Sequence, residues 1–198
     1  NYADHIYTLS KGISWITFQN ECAAIRIDDQ LCKQGKGITL YSSFKQNLKG
    51  DKIYTVFEDS EGDEWILTNK GISIIGKKQV DSDFPFQYIK EADGIIYLVS
   101  QSDKLASYNF KTRQFKFIEI PYHVSMINEV KKFDSNTLLL ATDNGLIIYK
   151  IKEKEFQLID IRTSTQPSNV VQSVYQDHYK ELWIFPQTTG VIRYNPST

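Results

Sequence analysis

Two distant stretches of the chain carry the same side-chain pattern, and this repetition limits the possible folds more than any other feature. Asp59 is followed six residues later by Trp65, and Asp177 is followed six residues later by Trp183. In both stretches an isoleucine follows the tryptophan, and a glycine then opens another apolar segment. A pattern that recurs within one chain predicts a fold built from repeated supersecondary units.

Weaker copies of the pattern occur elsewhere, so the repeat extends along the chain. The equivalent strand positions lie at residues 15, 65, 97, 139 and 183, with a mean spacing of 42 residues. This spacing is close to the roughly 40–45 residues of a four-stranded propeller blade. We therefore predict one β-propeller-type domain over 1–198, made of about five four-stranded antiparallel units. The predicted units are 1–35, 51–81, 86–120, 125–161 and 169–196.

The composition favours strands over helices. Ile, Val, Thr, Phe, Tyr and Trp make up 72 of the 198 residues, against 6 Ala. β-branched and aromatic side chains pack well on a pleated sheet and lose rotamer freedom in a helix. No apolar pattern with helical spacing extends beyond two turns. The sequence thus predicts an all-β fold.

The two ends of the chain bear on ring closure. The fifth unit has three predicted strands, near 170–175, 182–185 and 190–194, and only 1–4 precede the first strand. Neither end supplies the additional strand of about five or six residues with which a propeller closes its ring. We therefore predict an incomplete arc of a larger propeller, which associates with a second copy through unpaired edge strands.

The better-preserved stretch also resembles a known repeat. Its pattern is Ile53-x-x-Val56-x-x-Asp59-x-x-Gly62-x-x-Trp65-Ile66-x-Thr68-x-x-Gly71-Ile72. This pattern is similar to the two-component regulator propeller repeat, and 169–195 resembles that repeat nearly as well. That repeat builds the periplasmic sensor domains of hybrid two-component systems in Bacteroidetes. In that family, larger sets of blades are followed by a membrane helix, a histidine kinase core, a receiver and a DNA-binding regulator.

The resemblance implies a role in signal transduction. It implies the extracytoplasmic, periplasmic sensor portion of an inner-membrane protein that detects a glycan or oligosaccharide and regulates transcription. The segment itself would not be an enzyme, whereas the full-length protein would be a sensor histidine kinase. The segment would need no cofactor, would not touch nucleic acid, and would meet the membrane only through downstream segments.

Charge and chemistry-bearing residues leave two other classes open. Lys and Arg number 23 against 24 Asp and Glu, a net charge of −1, whereas non-specific nucleic-acid binders are basic. The three histidines lack metal-ligand spacing, so we predict no metal site. The alternatives are a propeller enzyme, such as a lyase or a glycosidase, and a pure protein-interaction scaffold.

The position of each residue in the repeat divides the candidate residues into two groups. Periodic tryptophans are expected to pack between blades, and the aspartates to hydrogen-bond the turns that follow them. Polar residues in the loops between second and third strands, and in the connections between blades, share one end of a propeller and suit sugar hydroxyls. The predicted structural residues are Trp15, Asp59, Gly62, Trp65, Gly71, Asp177, Trp183 and Gly190. The predicted ligand-binding residues are Asn20, Asn69, Gln101, Asp103, Tyr122, His123, Asn144 and Gln187.

Two cysteines, Cys22 and Cys32, form no CxxC pair. If Asp28 and Asp29 form a hairpin turn, the two cysteines are offset along the hairpin rather than opposite each other. This offset does not fit the short Cα separation that a disulfide requires. We predict two free thiols.

Overall fold

The computed structural model describes residues 2–18, 21–45, 48–76, 80–81 (backbone only), 85–109, 112, 114–188 and 190–195. These residues form five antiparallel sheets, four with four strands and one with three, in which successive strands are neighbours. Each sheet is a propeller blade, so the predicted all-β fold is confirmed. The chain divides into two compact units, Asn1–Ile89 and Lys90–Thr198. None of the helices within the described ranges is long and apolar enough to span a membrane.

Blade 1 lies in the first unit. A single 3-10 turn, Ser10–Gly12, joins its first two strands, and a one-turn helix, α1 (Asp29–Cys32), follows its third strand. Its strands are β1 (Ala3–Thr8), β2 (Ile13–Phe18), β3 (Ala23–Asp28) and β4 (Ile38–Ser42).

The two faces of blade 1 have different surroundings. Side chains alternate between the faces along each strand, and Trp15 is completely buried on one of them. On the other face, Ile6, Ile16, Ile25 and Leu40 lie side by side across the four strands. Ile6 is 69% exposed and Leu40 is 41% exposed. Blade 1 therefore presents one apolar face to solvent.

Blade 2 completes the first unit, and its two middle strands are buried along their whole length. The Trp15 face of blade 1 packs against Ile53, Val56 and Ile66 of blade 2, which forms the core of this unit. The strands of blade 2 are β5 (Ile53–Glu58), β6 (Glu64–Thr68), β7 (Gly71–Ile74) and β8 (Val80–Asp81).

Blades 3 and 4 follow with the same strand order. Blade 3 contains β9 (Phe86–Ala92), β10 (Ile95–Ser100), β11 (Leu105–Asn109) and β12 (Gln114–Ile118). Blade 4 contains β13 (Ile127–Asp134), β14 (Thr137–Thr142), β15 (Gly145–Lys150) and β16 (Glu155–Ile159).

Blade 5 has three strands among the described residues, as predicted. They are β17 (Val171–Gln176), β18 (Leu182–Pro186) and β19 (Ile192–Tyr194). Leu139 and Ile148 of blade 4 pack against Val171, Leu182 and Ile184 of blade 5 in the core of the second unit. The incomplete arc and the pairing of its edges stay predictions.

The connection after β3 differs from the predicted hairpin at Asp28 and Asp29. The Asp28 side chain accepts two backbone N–H groups of α1, each at 3.1 Å, and so begins a helical turn instead. The chain returns at Gly37, where a Cβ would lie 2.4 Å from the Asp28 carbonyl oxygen. Because β3 then pairs Ala23 with Ser42, blade 1 extends beyond the predicted end at residue 35.

Cys22 and Cys32 are free thiols, as predicted, although the turn assumed in that prediction does not form. Cys22 is 3% exposed, and its Sγ donates a hydrogen bond to the Lys49 carbonyl oxygen at 3.3 Å. Burial raises the pKa of the Cys22 thiol to about 11. Cys32 is exposed, so the two thiols differ in access.

Candidate functional site

An aspartate–tryptophan pair shapes the first turn of blade 2. One carboxylate oxygen of Asp59 accepts the backbone N–H groups of Glu61 at 3.0 Å and Asp63 at 2.9 Å. The other oxygen accepts the Trp65 indole N–H at 2.8 Å. Gly62 supplies the left-handed backbone of the turn, with φ 84°. The aspartate is therefore engaged in turn formation on both of its oxygens.

Blade 5 repeats this aspartate–tryptophan pair at the same spacing. Asp177 accepts the backbone N–H groups of Tyr179 at 2.9 Å and Glu181 at 3.0 Å, and the Trp183 indole N–H at 3.0 Å. Lys180 holds the left-handed position, with φ 64°. The hydrogen bond from Trp183, together with the backbone hydrogen bonds, keeps the pKa of Asp177 below its usual range.

Trp15 is held by a different set of contacts. Leu9 stands where blades 2 and 5 have the aspartate, and the Trp15 indole N–H donates to Glu64 Oε2 of blade 2 at 2.6 Å. Arg26 donates to the same carboxylate, with Nε 2.9 Å from Oε2 and Nη2 2.8 Å from Oε1. The side chains of Arg26 and Glu64 are 16% and 9% exposed. A largely buried ion pair thus links blade 1 to blade 2.

Asn69 and Asp143 hold the connections that enter blades 2 and 4. They lie at what we call the loop end, where second and third strands are joined and where blades are connected. Asn69 Oδ1 accepts the backbone N–H groups of Asp51 at 2.8 Å and Lys52 at 3.2 Å. The Asp143 carboxylate accepts the backbone N–H of Ser125 at 3.1 Å. The predicted ligand residue Asn69 is therefore engaged with the backbone.

Asn144 links the two connections that flank blade 4. Its Nδ2 donates to the His123 carbonyl oxygen at 2.9 Å, and its Oδ1 accepts from Asn169 Nδ2 at 3.1 Å. Asn169 is buried, and its own Oδ1 accepts the backbone N–H of Ile161 at 2.9 Å. One predicted ligand residue, Asn144, thereby fixes the backbone beside another, His123.

Four predicted ligand residues are exposed at the loop end of the second unit. Gln101 and Asp103 lie in the turn between β10 and β11, and Asp103 forms a 2.9 Å ion pair with Lys104. This contact keeps the pKa of Asp103 below its usual range. His123 precedes β13, and Gln187 follows β18. The side chains of these residues are accessible to a ligand from solvent.

The remaining predicted residues have structural surroundings or lie outside the described ranges. The Tyr122 hydroxyl donates to the Phe156 carbonyl oxygen at 3.0 Å, so this side chain supports blade 4. Gly71 opens β7, and Gly190 lies between β18 and β19. Asn20 lies outside the described residues.

A cavity of about 540 Å³ lies between blades 3 and 4 at the opposite end, which we call the turn end. Blade 3 lines it with Tyr97, Ser107 and Lys116, which are neighbours across β10, β11 and β12. Blade 4 lines it with Tyr149 and Phe156, whose rings stack with centroids 4.3 Å apart. None of the predicted ligand residues within the described ranges lines this cavity. A smaller cavity of about 330 Å³ separates blades 4 and 5.

The two tyrosines give the larger cavity hydrogen-bond donors. Tyr97 and Tyr149 are each 3% exposed, and their rings meet edge to face with centroids 6.3 Å apart. Neither phenol hydroxyl hydrogen-bonds another of the described residues. Burial raises the pKa of both phenols above the usual value, so both stay protonated and able to donate.

Lysines dominate the charge around the same cavity. Lys152 Nζ lies 3.4 Å from Asp93 Oδ1, and this ion pair balances the charge of the carboxylate. Within the described part of the chain, Lys116 and Lys154 form no ion pair, and Glu119 is the other acidic residue of the lining. The cavity therefore combines aromatic walls with a surplus of donors.

Metal binding has no support in the described ranges. There, no three His, Cys, Asp or Glu side chains come close enough together to hold a metal ion.

One residue of the third strand in blade 3, Ser107, indicates the cavity in the sequence. Ser107 pairs with Tyr97, which occupies the equivalent strand position of blade 3. At the corresponding place, blade 2 has Ile74 and blade 4 has Ile148. The same position holds Arg26 in blade 1 and Arg193 in blade 5, so the small side chain of Ser107 leaves space between two sheets. An alignment of the third strands alone marks this position.

Comparisons with known proteins place the chain among propellers. No family model matches it. It is 22% identical over 153 residues to histidine kinase P4 of Formosa agariphila. The matched region covers 77% of this chain and 9% of that kinase.

Solved structures match nearly the whole chain. One is an extracellular domain assigned to the hybrid two-component system BT3049 of B. thetaiotaomicron, 20% identical with a TM-score of 0.70, covering 96% of this chain and 26% of that one. Another is virginiamycin B lyase from Staphylococcus aureus, 17% identical with a TM-score of 0.70, covering 98% and 69%. The fold is that of a β-propeller. The chain spans about a quarter of the BT3049 domain.

Proposed function

We propose that this chain is part of the periplasmic sensor region of a hybrid two-component signalling protein, and that it detects a glycan or oligosaccharide. The observation that carries the proposal is the likeness of 96% of the chain to an extracellular domain assigned to such a system. The sequence relative, a histidine kinase, and the resemblance of the two best repeats to the two-component regulator propeller repeat support it.

In this proposal the chain itself is not an enzyme. Its blades form a scaffold, and exposed polar groups such as His123 and Gln187 meet sugar hydroxyls at the loop end. Binding changes the packing of blades or the contact between two copies, and this change reaches a kinase that controls transcription. Self-association through edge strands belongs to the same proposal.

The test is a binding screen of the full chain on an array of neutral and acidic oligosaccharides, followed by calorimetry. We expect at least one saccharide class to bind with a Kd of 1 mM or tighter, corresponding to about 4 kcal/mol of binding free energy. In the full-length protein, that saccharide changes the rate of kinase autophosphorylation. Absence of binding across the array contradicts the proposal.

A propeller lyase is the second candidate, because the chain matches virginiamycin B lyase with a TM-score of 0.70 over 98% of its length. A related structure of that enzyme holds quinupristin. Incubation of the chain with quinupristin, followed by mass spectrometry of the compound, separates the two functions. We expect unchanged quinupristin, whereas a cleaved product favours the enzyme.

A further inference from the structure

The cavity between blades 3 and 4 has the chemistry of a ligand site rather than of a packing defect. Its volume of about 540 Å³ lies inside the range of roughly 300–1,000 Å³ that small-molecule sites occupy. Tyr97 and Tyr149 line it, and their phenol hydroxyls make no hydrogen bond to another described residue. A hydroxyl at the cavity wall that makes no such hydrogen bond can donate to an acceptor on a ligand.

The distribution of donors and charges selects the kind of ligand. The two phenols stay protonated, and Lys116 and Lys154 add ammonium donors that form no ion pair among the described residues. Of the two carboxylates in the lining, Asp93 is already paired with Lys152. A surplus of donors favours a ligand rich in acceptors and negatively charged.

The walls select the shape of the ligand. Phe156 stacks on Tyr149, and Phe117, which also lines the cavity, is 48% exposed. Flat aromatic faces offer apolar contact to a ring, while the polar groups at the wall fix its orientation. A pyranose ring has apolar C–H faces and a rim of oxygen acceptors, which fits both sets of groups.

We propose that the cavity between blades 3 and 4 binds an acidic sugar residue, with Tyr97 and Tyr149 donating to oxygen atoms of the sugar and Lys116 and Lys154 facing its carboxylate or sulfate. This site deepens the proposed function and rests on it, since it gives the sensor a ligand class and a place at the turn end.

The experiment exploits the residue that keeps the cavity open. Ser107→Ile introduces the residue that blade 4 has at the equivalent position, Ile148, and fills the space with little change to the fold. Lys154→Asn removes one ammonium group, and asparagine tolerates the backbone there, where φ is 58°. Lys180→Asn is the matched control, because Lys180 also has a positive φ, 64°, but lies beside the smaller cavity.

The probes are trigalacturonic acid, its methyl ester, which keeps the rings but has no charge, and a sulfated disaccharide from carrageenan. Each is titrated into the full chain by calorimetry, and circular dichroism checks that each variant keeps the wild-type thermal midpoint. We expect at least one acidic probe to bind about tenfold tighter than the neutral ester. We expect Ser107→Ile to weaken that binding at least tenfold and Lys154→Asn about fivefold, with Lys180→Asn unchanged.

The outcomes separate the site from the function. Preference for the carboxylated or the sulfated probe identifies the acid group and supports the site in either case. If saccharides bind but Ser107→Ile has no effect, while a His123→Ala/Gln187→Ala variant loses binding, the cavity site is wrong and the sensor function stands. If the neutral ester binds as tightly as the acid, the acidic-sugar assignment is wrong. If no saccharide binds at all, the proposed function and the site fail together.

Discussion

Blades 2 and 5 contain the same aspartate–tryptophan pair in different surroundings. Asp59 and Asp177 accept equivalent hydrogen bonds at equivalent spacing. Trp65 is nevertheless completely buried, whereas Trp183 is only half-buried. The hydrogen bonds of the turn are therefore fixed by local sequence, while burial of the indole depends on what lies against the blade.

Blade 1 provides the counterexample. Trp15 is as deeply buried as Trp65, yet its indole N–H is satisfied by Glu64 of the next blade rather than by its own turn. A buried N–H group needs a partner, but that partner can come from outside the repeat. The hydrogen bond of the tryptophan should accordingly depend on a contact between blades in blade 1, and on contacts within one blade in blade 5.

The largest effect is expected from Glu64→Leu, which installs the residue found at the same position of blade 5, Leu182. The change leaves Arg26 as a largely buried charge and the Trp15 indole N–H without an acceptor. We expect a loss of about 3 kcal/mol in the free energy of unfolding, measured by urea denaturation.

The control for this variant is the double substitution Glu64→Leu/Arg26→Ile, which copies Ile74 of blade 2 at the arginine position. It removes both charges, so it should recover more than half of the lost stability. If Glu64→Leu alone is as stable as the wild type, the ion pair does not hold the two blades together.

A second effect separates the two aspartate–tryptophan pairs. Asp59→Ala removes the acceptor of three hydrogen bonds at a carboxylate that is 6% exposed, and we expect a loss of about 2 kcal/mol. Asp177→Ala should produce a clearly smaller loss, because water can reach the freed donors. Equal losses in urea denaturation would contradict the idea that burial sets the difference.

The pH dependence of blade 5 follows from the lowered pKa of Asp177. The pKa of this carboxylate is lower in the folded state than in the unfolded chain. Its contribution to the free energy of unfolding is therefore complete above the unfolded pKa, about 4. That contribution disappears as the pH falls through the lower, folded pKa. Thermal midpoints measured from pH 5 to pH 2 should therefore fall more steeply for the wild type than for Asp177→Asn. Parallel curves would contradict this assignment.

The smallest effect concerns the thiols of blade 1. Native protein at pH 8 should react with one equivalent of a thiol reagent at Cys32, since Cys22 is buried and burial raises its pKa. Denatured, unreduced protein should react with two equivalents. Mass spectrometry of the labelled peptides identifies the sites, and failure of both to react after denaturation would indicate a disulfide.

The fold was predictable because its signal is local and repeated. The spacing of Asp59 to Trp65 and of Asp177 to Trp183 locates two blades. The intervals between the equivalent strand positions, 15, 65, 97, 139 and 183, locate the others. The turn after β3 was not predictable in this way. There, an aspartate that suits a hairpin also suits the start of a helix, and Asp28 begins α1.

Contacts between blades were the harder part of the site. Glu64 stands where blade 5 has Leu182. Arg193, the blade 5 counterpart of Arg26, bonds Glu181 of its own blade, so the repeat gives no reason to pair Arg26 with Glu64. Asn69 and Asn144 look like ligand groups in the sequence because polar loop residues serve both ligands and backbone. Which of the two an amide serves depends on the connection that passes beside it.

The link through Asn144 has a consequence for how blade 4 opens. Its side chain joins the carbonyl group of His123 to the side chain of Asn169, which in turn holds the amide of Ile161. The segment that precedes blade 4 and the segment that follows it therefore cannot separate independently. In hydrogen exchange, the amide of Ile161 should be released in the same cooperative event as the strands of blade 4, although it lies outside every strand. Two asparagines thus extend the cooperative unit beyond the strands of blade 4.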